Sequence, residues 1–69
     1  MEYGHVAARN WRQTYAVGRT IWIKSGGIWH KGLVTAQSAN DVRVDYGPGA
    51  QHTNVHYSVM RRDLRVTQP

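Results

Sequence analysis

"KSGGIWHKGLV", residues 24–34, decides how this chain folds. Gly26 and Gly27 supply positive φ at no steric cost, which is what a tight hairpin turn requires. Before them, "RTIWIK" alternates: Ile21 and Ile23 fall on one face, Thr20, Trp22 and Lys24 on the other. Its β-branched residues favour a strand. After the glycines, "IWHKGLVTAQ" is a longer second strand. Gly32 interrupts it, and this is where the strand is expected to bend sharply enough to close a small barrel. The reading is therefore a hairpin whose second arm curls at Gly32.

Working outward, "SAND" breaks the second strand with small turn-forming residues. "DVRVDY" is a third strand, with Val42, Val44 and Tyr46 on one face and Arg43 and Asp45 on the other. "GPG" stops it. "TNVHYSV" is expected as a fourth strand with Val55, Tyr57 and Val59 aligned. "MRRDL" reads as one tight 3₁₀ turn and "LRV" as a short fifth strand. Five short strands joined by tight turns point to an all-β fold, a small antiparallel barrel. The expected core is Val17, Ile21, Ile23, Val34, Val42, Val44, Val55, Leu64 and Val66. Residues 5–14 read as a helix or coil, with Trp11 packing on the strands. The organisation is an arm or short helix over 1–16, the barrel over 17–66, and a tail over 67–69.

Sixty-nine residues make one domain at most. With no cysteine, neither a disulfide nor a thiolate metal site is available. No stretch approaches the roughly 18 apolar residues of a membrane span. The opening "MEYGHVAARN" lacks the apolar run of a signal peptide. The expectation is an intracellular chain with no membrane partner. Nine Lys and Arg face four acids, a formal net charge of +5, and seven of the nine are Arg. Arginine is suited to bidentate phosphate contacts, and a pI near 10.3 is one mark of a nucleic-acid-binding domain.

His52 and His56 are four residues apart, which on a strand separates them by about 13 Å at ~3.3 Å per residue. Two ligands that far apart cannot share one ion, so no metal is expected at His5, His30, His52 or His56. No phosphate loop, dinucleotide fingerprint or nucleophile motif appears, and no cofactor or catalytic residue is expected. Trp29, heading the bent strand, reads as structural and half-buried. Trp22 points away from the core beside Lys24, as a contact surface or as a ring covered by the N-terminal segment through Trp11.

These elements resemble the SH3-like barrel of Tudor, agenet and chromo-barrel modules and of retroviral integrase C-terminal domains. The resemblance rests on Gly18, on Trp29 with Gly32 and Val34, on Val42 with Val44, on Asp45-Tyr46-Gly47 and on Asp63-Leu64-Arg65. It covers residues 17–66 and implies a non-catalytic binding module. Of the aromatic cage that Tudor-like readers of methylated ligands carry, Tyr46 alone has a counterpart; His30, Arg43 and Pro48 stand at the other positions. A second resemblance, of "KSGGIWHKGLV" and "VHYSV", is to the plasmid-borne type II dihydrofolate reductases, which are tetramers with a central pore. There the pore tyrosine maps to Tyr57, the glutamine to Val55, the isoleucine to His56, and the cofactor-binding lysine to Ile23 beside Lys24.

The leading expectation is nucleic-acid binding through a basic and aromatic face. Lys24, Lys31, Arg43, Arg61, Arg62 and Arg65 lie at strand ends, at outward positions or in the last turn, and Trp22 and His30 share the outward parity of some of them. Tyr46 and Tyr57 complete the candidate ligand-binding residues. The alternatives are a peptide- or protein-binding module of the Tudor kind and a small oligomeric reductase. An exposed Trp22 also fits self-association into a homo-oligomer.

Overall fold

The computed structural model describes residues 10–69. The part of the expected N-terminal helix or coil that falls on residues 5–9 lies outside them. A single helical turn, α1 (Trp11–Thr14), leads into β1 (Thr20–Ser25), β2 (Ile28–Gln37), β3 (Asp41–Tyr46) and β4 (Gln51–His56). A 3₁₀ turn (Tyr57–Val59), a second helical turn α2 (Met60–Asp63) and the two-residue β5 (Leu64–Arg65) complete the chain. The strands form one antiparallel sheet in the order β4-β3-β2-β1-β5.

The hairpin at residues 24–34 sets this order. Gly26 and Gly27 adopt φ of 60° and 77°, which puts both central residues of a two-residue turn in the left-handed region. That turn fixes the register: Ser25 faces Ile28, Lys24 faces Trp29, Trp22 faces Lys31 and Ile21 faces Gly32. Because side chains alternate, the register sends Ile21, Ile23, Gly32 and Val34 to the core face together. Val34 lies across from Val44, Val42 across from Val55, and Ile23 across from Leu64. These aliphatics are the centre of the core.

Gly32 sits where two strands approach closely. A Cβ there would lie 2.8 Å from Val44 Cγ1 and 3.0 Å from the Asp45 carbonyl oxygen. The irregularity in β2 comes three residues later. Pairing with β3 shifts between Val34 and Ala36, leaving Thr35 as the extra residue of a bulge. Its hydroxyl donates to Asp45 Oδ1 at 3.1 Å.

Trp11 packs into the core as expected, at 7% exposure, and Tyr15 joins it at 9%. The turn that carries them is tied to the sheet by polar contacts. Gln37 Nε2 donates to the carbonyls of Arg12 at 2.8 Å and Tyr15 at 2.9 Å, and Arg12 donates to the Ala39 carbonyl at 2.9 Å. Met60, unforeseen as core, is 2% exposed. Two expected core residues are on the surface: Val17 at 59% and Val66 at 38%. Val17 lies in the turn before β1, and Val66 follows a β5 that ends at Arg65. Neither has a paired strand to aim it inward. The expected fourth strand also changes. Strand pairing begins earlier, at Gln51, and stops at His56, so Tyr57 and Val59 are in the 3₁₀ turn rather than in line with Val55. His56 accepts from the Ser58 N–H through its side chain, a local cap that competes with continuing the ladder.

In α2, Asp63 pairs with Arg62 as expected: Nε and Nη2 of Arg62 donate to the two carboxylate oxygens at 2.9 and 3.0 Å. The hydrogen bonds from Arg62 hold the Asp63 carboxyl below the usual aspartate range against the opposing effect of burial. A depressed folded-state pKa stabilises the fold above the unfolded value and loses that contribution as pH falls through the folded one. Asp63→Asn should therefore lower Tm slightly at neutral pH and converge on the wild type in acid, flattening the acid limb of a plot of Tm against pH below about pH 4. An acid limb as steep as in the wild type would show that the pair does not contribute.

Candidate nucleic-acid interface

The outer face of β5-β1-β2 carries alternating rings and cations. Trp22 on β1 is flanked by Arg65 on β5 and by Lys31 on β2. One register step along, Lys24 stands opposite Trp29. Directly opposed residues hold their Cβ atoms about 5 Å apart, so these five side chains form one patch. The Arg65 guanidinium lies over the Trp29 ring, 5.1 Å from its centroid, within range of a cation–π contact. Both tryptophans are half-buried, while Lys24, Lys31 and Arg65 are exposed. Among the described residues, no carboxylate belongs to the patch. Asp63, at its edge, is engaged by Arg62. Trp11 does not cover Trp22, because it belongs to the core cluster whereas Trp22 has the opposite parity to Ile21 and Ile23.

The remaining candidate residues fall elsewhere. His30, expected on the side of Trp22, faces Ile23 and so lies on the opposite side of the sheet. Strand parity along β2 from Gly32 and Val34 requires this. There it meets Tyr46, ring centroids 5.2 Å apart. The Tyr46 hydroxyl is 3.2 Å from Ser25 Oγ, closing a small polar cluster at the hairpin end. Arg43 is on the outer face but on β3, with Nε 3.1 Å from Asp45 Oδ1. Tyr57 stacks on His56 at 4.3 Å, beside the end of β4. Arg62 is held by Asp63, while Arg61 and Arg65 line a groove against Tyr15.

Two residues not expected to bind stand here, Trp29 on this face and Tyr15 in the groove beside it. Trp29, expected to be mainly structural, is also part of this face, where the two-residue turn at Gly26-Gly27 pairs it with Lys24. Tyr15 gave no sequence signal, because its neighbours Arg61 and Arg65 come from the far end of the chain. Among the described residues, no group of three or more His, Asp or Glu is placed to hold a metal ion, and no helix is long and apolar enough to cross a membrane. Comparison of the chain with family models, with curated proteins and with solved structures gives no match in any of the three.

Proposed function

We propose that this chain is an SH3-like barrel serving as a non-catalytic module that binds single-stranded nucleic acid on the outer face of β5-β1-β2. The observation that carries the reading is the Arg65–Trp22–Lys31 row, with Trp29 and Lys24 beside it. Stacking rings framed by cations are how small β-barrels hold single strands: rings take the bases, cations take the phosphates. Supporting the barrel are the five-strand order, the bulge at Thr35 and the helical turns before a short last strand. The peptide-reader alternative has less to stand on, because among the described residues Tyr46 has His30 as its ring neighbour and no second tyrosine or tryptophan there. The reductase alternative would need a polar side chain where Val55 is buried.

Titration with an oligothymidylate at low salt tests the proposal. With Lys24, Lys31 and the Arg61–Arg65 pair as three phosphate contacts, log K should fall against log salt with a slope of roughly −2, from about −0.7 per phosphate on single strands. Trp22→Ala should weaken binding about tenfold, given ~1–3 kcal/mol per stacked base, without unfolding the chain. An amide spectrum unmoved by the oligonucleotide, or equal binding by Trp22→Ala, would overturn the reading.

A further inference from the structure

Next to the tryptophan face, between α1 and the end of β5, lies a groove of about 390 Å³. Thr14, Tyr15, Arg61, Leu64, Arg65 and Thr67 line it, with no carboxylate among them. Tyr15 is among them and is anchored through its backbone. Its N–H donates to the Trp11 carbonyl at 2.8 Å, and its carbonyl accepts from Gln37. The positive charges of Arg65, Arg61 and Arg19 all act on its phenol, which burial nevertheless holds protonated beyond the usual tyrosine range. At neutral pH the groove therefore presents an O–H donor within a positive field.

Arg65 connects the groove to the face. Its Nη1 donates to the Arg61 carbonyl at 2.5 Å and to the Leu64 carbonyl at 3.1 Å, while its guanidinium carbon stands over Trp29. A guanidinium has five N–H donors, so these contacts fix its plane and leave others for a ligand. Arg61 is exposed, and among the described residues it has no ion-pair partner, unlike Arg62 and Arg43.

We infer that this groove is a phosphate-binding subsite, in which the Tyr15 hydroxyl and the guanidiniums of Arg61 and Arg65 hold one backbone phosphate of a strand whose adjacent base lies on the Trp22–Trp29 face. The inference rests on the proposed nucleic-acid reading and adds a direction to it. The strand leaves the tryptophans across β5 toward α1, not across β2 toward the ion-paired Arg43. The ligand chemistry is a tetrahedral oxyanion, and a free phosphate shares it.

The test uses the full chain, with two probes followed by amide shifts: inorganic phosphate and an eight-residue oligothymidylate. Both should shift residues 14–16 and 61–67, and the oligothymidylate should also shift β1 and β2. Arg61→Gln should lower the affinity for both probes about tenfold, the value of one charge-assisted hydrogen bond, and make the salt slope shallower. Tyr15→Phe keeps the ring in the core and should lower oligothymidylate affinity about fivefold, the value of one hydrogen bond, with the slope unchanged. A thermal melt verifies that both variants fold. If the oligothymidylate shifts β1 and β2 alone and both variants bind like wild type, the subsite is wrong and the nucleic-acid reading survives. If phosphate shifts the groove saturably while the oligothymidylate does not bind, the nucleic-acid reading fails and the groove is a site for free phosphate. If neither probe shifts the groove, the inference is overturned.

Discussion

Trp11→Ala should lower stability by about 3–5 kcal/mol, the cost of truncating a buried aromatic to alanine. A chain this size has on the order of 3–10 kcal/mol in all, at ~0.05–0.15 kcal/mol per residue. The variant should thus be partly unfolded at room temperature or melt about 12–40 °C lower. Trp11 is the large ring that α1 lays on the sheet's core face. It also supports the Arg12 guanidinium, 4.5 Å from its ring centroid. Removing it opens a cavity beneath a turn of only four residues, too short to hold its shape without that anchor. Thermal unfolding followed by far-ultraviolet circular dichroism measures the effect. A loss under about 1 kcal/mol would mean that the N-terminal turn is an appendage and not part of the core.

Gly32→Val should cost about 1–3 kcal/mol, toward the upper end, through overpacking. The first added carbon already meets Val44 Cγ1 at 2.8 Å, the Asp45 carbonyl oxygen at 3.0 Å and Tyr46 Cβ at 3.4 Å. The Val44 methyl can turn aside. The carbonyl oxygen belongs to the β2–β3 ladder, and moving it pulls on the pairing of Leu33 with Asp45. Two further methyl groups then have to find room in an interior with few voids. Denaturant unfolding of Gly32→Val against wild type, with the slope m unchanged and the midpoint lowered, is the expected result. An unaltered midpoint would show that the strands can separate at Gly32 without loss.

Much of the sheet was legible from local patterning, because a period of two and a glycine-paired turn are properties of neighbouring residues. The bounds of β2 and β3 and the first-strand core positions Ile21 and Ile23 follow from that alone. The end of β4 was not legible, because "VHYSV" suits a strand equally well and the His56–Ser58 contact that closes the 3₁₀ turn leaves no mark in a hydropathy pattern. Val17 and Val66 misled for a related reason. A valine reads as core wherever it stands near a strand, and only a pairing partner fixes which way it faces.

The candidate site divides along the same line. The charge of the chain, its arginine bias and the outward parity of Trp22 and Lys24 are written in the residues themselves. Which cations meet which rings is not, since it depends on contacts far apart in sequence. Arg65 reaches Trp22 because β5 returns to β1 across about 40 residues, His30 parts from Trp22 because the hairpin register puts it opposite Ile23, and Arg43 is carried two strands away to pair with Asp45. Local sequence sets each strand's two faces. The long-range pairing, driven by burying one of those faces, sets who stands beside whom on the other.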